Sequence, residues 1–197
     1  MHPFKIILAS ASPRRLQILQ AHGLSAEVMP ADIVEVPHSD EAAKAYVTRL
    51  AKEKAEAVLS RVAPDEADLI LAADTTVAYQ DHILEKPRDP NDAYRMLRQL
   101  SGNTHEVHTG YALVFLPEQR WYVDCATTII AFHALTDEQI THYIDSGDPF
   151  DKAGAYGIQC VRDTFVSGIE GSYYNVMGLP IEDILPKITH SRAQSGS

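Results

Sequence analysis

Residues 4–22, FKIILASASPRRLQILQAH, constrain the chain most, because they encode a strand, a tight turn and a helix whose charges stand in the wrong place. Phe4, Ile6, Ile7 and Leu8 make the short apolar run of a buried strand. Ser12 and Pro13 then supply an N-cap and the proline favoured at a first helical position. Leu16 and Leu19, flanked by Ile18, form the core stripe of that helix, and Gly23 stands where a left-handed residue would end it. Arg14 and Arg15 therefore fall in the first turn, where free backbone N–H groups already carry partial positive charge and each cation costs about 0.3–1 kcal/mol. Two readings stay open. Either both arginines face solvent or pair with nearby acids, or they join the Ser10 and Ser12 hydroxyls and the helix N–H groups in binding phosphate.

The rest of the chain narrows the choice of partner. Its 197 residues carry a formal net charge of -10, which disfavours nucleic acid as a partner, since that requires basic stripes facing many phosphates. A small polyphosphate remains compatible if a few cations converge in one pocket and a divalent metal neutralises the remainder. The length suits one core, and no repeat or low-complexity linker divides it. One domain over residues 1–190, with a flexible polar tail at 191–197, is expected. No apolar run reaches about 20 residues and no signal-peptide pattern opens the chain, so a cytoplasmic protein with no membrane partner is expected. Cys125 and Cys160 are too few for a disulfide framework and lack CxxC spacing.

Taken in order, a short strand over 26–30 leads into a polar turn holding Asp32 and Glu35. A helix with an acidic first turn follows over about 40–60, its apolar face drawn by Val47, Leu50, Ala51, Ala55 and Val58. Lys54 lies inside that face, where it must snorkel out, be paired or line a cavity. The run LILAA at 69–73 predicts a central strand that Asp74 ends, and ligands of open α/β sheets collect at such carboxyl ends. Residues 75–85 predict a hairpin turning at Gln80, Asp81 and His82, which would return Lys86 toward Thr75 and Asp74. Asp89 and Pro90 open a helix that Gly102 closes. Residues 105–116 and 122–132 predict an antiparallel pair, on which His105 and His108 point to opposite faces. Thr136 and Gln139 form a capping box for a helix ended by Gly147. The small-residue segment DPFDKAGAYGIQ at 148–159 carries Lys152, where the backbone can approach a ligand or another chain closely. Short strands are expected near 164–169 and 173–177, then a helix opened by Pro180 and interrupted by Pro186.

The stretches LASASPRR, RLAKEKA, AADTTV, LEKP, AYRMLRQLSGNTHEVHTG, DKAGAYGIQ and YYNVMGLPI occur in this order across nearly the whole chain. Together they resemble the Maf family of nucleoside triphosphate pyrophosphatases, and DKAGAYGIQ resembles its dTTP/UTP subgroup rather than its 7-methyl-GTP subgroup. The resemblance implies an α/β fold, a single-domain mixed sheet flanked by helices with a deep cleft, like that of inosine triphosphatases. It implies hydrolysis of a nucleoside triphosphate to monophosphate and pyrophosphate, a divalent cation (Mg²⁺ or Mn²⁺) and a homodimer. The family's catalytic acid falls on Asp74, with Lys54, Lys86 and Glu35 beside it, and Asp74 and Glu35 are the expected metal carboxylates. Ser10, Arg14, Arg15, Thr75, Lys152 and Gln159 are the expected substrate contacts, with Arg14, Thr75 and Gln159 linked to base choice. Competing readings are a 7-methyl-GTP enzyme of the same family and a non-catalytic nucleotide-binding regulator of cell division.

Overall fold

Apolar runs of period two and apolar stripes of helical period alternate along the chain, and the computed structural model, which describes residues 4–116 and 118–195, assembles them into a seven-stranded mixed sheet flanked by helices. In order these are β1 (Ile6–Leu8), α1 (Pro13–Ala21), β2 (Ala26–Val28), α2 (Ala43–Leu59), β3 (Leu69–Tyr79), β4 (His82–Leu84), α3 (Pro90–Leu100), β5 (Thr104–Phe115), β6 (Arg120–Phe132), α4 (Asp137–Asp145), α5 (Ile158–Val161), β7 (Val166–Glu170), α6 (Tyr173–Met177) and α7 (Ile181–Ser195). Two short 3₁₀ turns, Asp148–Asp151 and Ala153–Ala155, lie between α4 and α5. The sheet order is β2-β1-β3-β5-β6-β7, with β4 paired to β3. Among the described residues no helix is long and apolar enough to cross a membrane.

The strand partners of β3 create the cleft. On one edge β5 pairs with it antiparallel from Leu69 to Ala78. On the other edge β1 pairs parallel only at Leu69 to Leu71, and β4 pairs antiparallel only at Val77 to Tyr79. Residues 72–76 are thus left without a strand on that side, and Asp74 stands in the gap. The expectation that Asp74 ends its strand is corrected, because β3 runs five residues further under its pairing with β5. What ends is its neighbour β1, so the acid still lies beyond the end of a parallel strand.

Side-chain alternation gives the two faces different tasks. Leu69, Leu71 and Ala73 pack with Ile18 and Leu19 of α1 and with Ile181, Ile184 and Ile188 of α7. Ile70 and Ala72 pack with Ala51, Ala55 and Val58 of α2. By the same parity Asp74 belongs to the α2 side and Thr75 to the α1 side, so consecutive residues serve opposite walls of one cleft.

Three further expectations change. Tyr173–Met177 is a helix rather than a strand, because the Ser172 hydroxyl accepts from the Asn175 N–H and Gly178, at φ 110, closes the turn. Pro186 does not stop α7, which continues to Ser195 and into the segment expected as a tail. The lost hydrogen bond and ring clash cost about 3 kcal/mol, offset by burial of Ile184, Ile188 and Ser191 along one face. The acidic first turn of α2 is also absent: Glu41 lies before the helix and accepts from Arg49 at 2.7 and 2.8 Å.

His105 sits among Phe132 and Tyr156, its Nε2 2.7 Å from the Tyr156 hydroxyl. Burial pushes its pKa from 6.5 down to about 4. Between those values the unfolded chain binds a proton that the folded chain excludes, so stability is complete above 6.5 and falls as pH drops toward 4, by about 3 kcal/mol in all. Thermal melts from pH 7 to 4.5 should therefore decline more steeply for the native protein than for His105→Gln, whereas parallel curves would remove this assignment.

Candidate active site

A cleft of about 650 Å³ opens at the gap beside β3, and all ten residues singled out as site candidates line it: Ser10, Arg14, Arg15, Glu35, Lys54, Asp74, Thr75, Lys86, Lys152 and Gln159. Five of its lining side chains are basic, and Glu35, Asp74, Glu85 and Asp151 supply four acids. Against a net charge of -10 for the whole chain, basic side chains outnumber acidic ones in this lining, a balance that suits an anion better than the chain's overall charge does.

Lys54 is neither snorkelling nor free. Its ammonium, buried on the apolar face of α2, lies 2.6 Å from Asp74 Oδ1 and 2.8 Å from Glu35 Oε1. A lone charge there would cost several kcal/mol, so α2 can carry this lysine only because two carboxylates converge on it. Gly110 allows the approach. It pairs with Asp74 across the sheet, and a Cβ there would stand 2.2 Å from the carbonyl oxygen of Val47 in α2.

On the opposite wall Arg15 is buried without a carboxylate on its guanidinium. Nε donates to the Gly178 carbonyl at 2.8 Å, Nη1 to Ser10 Oγ at 2.9 Å and Nη2 to Thr75 Oγ1 at 3.1 Å. Burial lowers its pKa; the charges of Asp74 and Glu35 oppose that shift and Arg14 adds to it. Three neutral oxygens orient the cation and leave its charge uncancelled, as a pre-formed anion site requires. The N-terminus of α1 adds to this, since no side chain caps it.

Thr75 is part of that support. Its hydroxyl accepts from Arg15, and because Thr109 Oγ1 donates to the Asn175 carbonyl, the Thr75 proton goes to Thr109 at 2.9 Å. Thr75 thus has no proton left for a ligand while Arg15 and Thr109 hold it. Arg14 pairs with Asp151 at 3.3 Å, and Lys152 with Asp148 at 3.0 Å and Asp151 at 2.6 Å. Lys86 and Gln159 are exposed on the rim, and no hydrogen bond or ion pair is made by the Lys86 ammonium among the described residues.

Several contributors escape sequence reasoning. Thr109 and Asn175 lie in segments that read as plain strand. Tyr46, whose hydroxyl donates to Glu85 at 3.2 Å, lies outside the apolar stripe drawn for α2 and carries no local signal. Burial raises the Tyr46 pKa, and the charges of Glu85, Asp74 and Glu35 raise it further, which marks the α2 wall as a region of negative potential. Asp148 and Asp151 both precede Lys152 in the small-residue segment, where acid next to lysine is a visible but ambiguous signal.

Among the described residues no cluster of three His, Cys, Asp or Glu side chains forms a ready metal cage. Asp74 and Glu35 nevertheless fit a hard divalent cation that takes one or two carboxylates, keeps several waters and draws its other oxygens from phosphates. The Lys54 ammonium already takes one oxygen of each, Glu35 Oε1 and Asp74 Oδ1, so such a cation would be held by their other oxygens.

A family model described as Maf-like protein matches residues 5–190. A dTTP/UTP pyrophosphatase from Chlorobium phaeovibrioides (strain DSM 265 / 1930) is 48% identical over 181 residues, covering 91% of this chain and 93% of the relative. Another from Myxococcus xanthus (strain DK1622) is 48% identical over 176 residues, 89% of this chain and 87% of the relative. A solved HAM1 protein from Coxiella burnetii aligns over 95% of this chain and 99% of its own, at 14% identity and a TM-score of 0.49.

Proposed function

The chain belongs to the Maf-like protein family, and on that premise we propose that it is a nucleoside triphosphate pyrophosphatase that hydrolyses dTTP and UTP to the monophosphate and pyrophosphate. The observation that carries this reading is the pairing of an uncancelled Arg15 and an open helix N-terminus on one wall with the Glu35–Lys54–Asp74 triad on the other. A phosphate binder needs only the first wall. A buried acid and base facing it across a cleft is what hydrolysis of an anhydride adds.

In this reading Arg14, Arg15 and the start of α1 hold the phosphates, and Lys86 and Lys152 close on them from the rim. Asp74 accepts the proton of the attacking water, while Lys54 orients that carboxylate and offsets charge that develops on the phosphate oxygens. Glu35 holds Lys54 from the second side. A divalent cation would be held by Asp74 and Glu35 and would supply charge neutralisation on the triphosphate. The domain extends over residues 1–190 in this account, acts in the cytoplasm and pairs as a homodimer. Measuring pyrophosphate release from a panel of nucleotides with Mg²⁺ or Mn²⁺ tests it, and a protein that binds nucleotides but releases none would be a regulator instead.

Base choice falls to Gln159 rather than Thr75, since the Thr75 proton is committed to Thr109. An exposed carboxamide on the rim offers both a donor and an acceptor, matching the edge of a pyrimidine. Gln159→Ala should narrow the kcat/KM gap between UTP and GTP by about tenfold, one to two hydrogen bonds' worth. An unchanged ratio in the same assay would move base reading elsewhere.

A further inference from the structure

Lys152 presents an arithmetic problem for a substrate contact. An ammonium has three protons, and all three are used: on the Asp148 carbonyl at 2.6 Å, Asp148 Oδ1 at 3.0 Å and Asp151 Oδ1 at 2.6 Å. A phosphate can reach it only by replacing one of these acceptors, and the two aspartates are held very differently.

Asp148 is fixed from behind. Its second oxygen accepts from the Tyr143 hydroxyl, and that hydroxyl in turn accepts from the backbone N–H of Gly157 at 3.0 Å. Tyr143 itself is buried against Phe165, and a Cβ at Gly157 would stand 2.7 Å from Lys152 Cε. Burial alone would raise the Asp148 carboxyl, but donations from Tyr143 and Lys152 outweigh it and hold the group below its usual range. Gly157 immediately precedes α5, on which Gln159 lies, so one hydroxyl ties the lysine's anchor to the base-reading turn.

Asp151 is held only from the front. Its side chain is 67% exposed, and its partners are Lys152 and Arg14, both lining the cleft. One carboxylate thus bridges a cation 137 positions away and one adjacent to it in sequence, in the manner of a bridging phosphate oxygen pair.

Building on the pyrophosphatase reading, we propose that these neighbouring acids have opposite roles. Asp148, locked by Tyr143, is a positioning residue that aims Lys152 into the cleft, and Asp151 is a stand-in anion that the triphosphate displaces from Arg14 and Lys152 on binding. Displacement costs little because an exposed carboxylate regains full hydration when it swings out. The released pair then meets phosphate oxygens already oriented.

The test is a comparison of signs. Asp148→Asn should raise the KM for UTP by about tenfold, the loss of a hydrogen bond to a charged group, with a smaller fall in kcat. Tyr143→Phe, which keeps the packed ring, should do the same to a lesser degree and should add little when introduced into a Lys152→Met protein. Asp151→Asn should lower the KM by about two- to fivefold, the range of an exposed ion pair, and steepen its dependence on salt, because no internal ion pair is then screened along with the ligand. Two acids that were merely structural would shift KM in the same direction, and that result, or an Asp148→Asn protein with native KM, overturns the proposal. Calorimetric binding of α,β-methylene UTP must give the same order of affinities. If the native protein released no pyrophosphate from any nucleotide, the enzyme reading would fall while this binding order still decided the roles of the two aspartates.

Discussion

Asp74→Asn should reduce pyrophosphate release by about 10²- to 10⁴-fold, the contribution typical of a positioned general base. The amide keeps the shape of the carboxylate and an oxygen that can accept from Lys54, and Glu35 remains 2.8 Å from the same ammonium. The fold should therefore survive, and the melting temperature should move far less than the rate. That separation identifies a chemical role: the variant loses a proton acceptor without leaving a buried charge unpaired. Turnover within a few-fold of the native protein in a pyrophosphate-release assay would remove Asp74 from the mechanism.

Gly110→Ala is expected to have the largest effect on stability. Its new Cβ would stand 2.2 Å from the Val47 carbonyl oxygen, 2.4 Å from the carbonyl carbon and 2.6 Å from the Thr48 nitrogen. All three are backbone atoms of α2, so no side chain can rotate away. The helix must retreat from the sheet and pull Val47, Leu50 and Ala51, each fully buried, out of contact. Overpacking of this rigid kind costs about 3 kcal/mol or more, or about 10 °C in melting temperature for a chain of this size. Lys54 rides on the same helix, so activity should fall with it by at least an order of magnitude. A melting temperature within about 2 °C of the native value would show that the contact is not tight.

Much of this molecule was legible locally. The proline opening α1, the capping box at Thr136 and Gln139, and the stripe of α2 appear where the sequence places them, whereas Ser12 stands at the N-cap position of α1 without making a cap hydrogen bond. The hairpin at Gln80 and Asp81, both with positive φ, also follows, but its turn has two residues rather than three, because His82 pairs with Tyr79 as the first residue of β4 and a two-residue turn suits the twist of the flanking strands. Tyr173–Met177 was misread because aromatic and β-branched residues resemble a strand in isolation. The Ser172 cap and Gly178 terminator were visible in the sequence and carried the better signal. Pro186 was misread because a local rule was applied without the weight of the core behind α7.

The site divides the same way. Lys54 on an apolar face and two arginines at a helix start stand out in sequence because each violates a local rule of charge placement. The sequence by itself determined that these charges needed partners, since an unpaired buried lysine or a cation at a helix N-terminus is unfavourable wherever the chain goes. Only the tertiary structure decided which partners they obtained. Arg15 meets a carbonyl 163 positions away, Arg14 meets a carboxylate 137 positions away, and β1 and β4 stop short along one edge of β3 to leave room for both. Periodicity and caps reach only a few residues along the chain, whereas the cleft is made by the pairing of strands and the packing of α2 on Gly110, contacts that exist only once the sheet is complete.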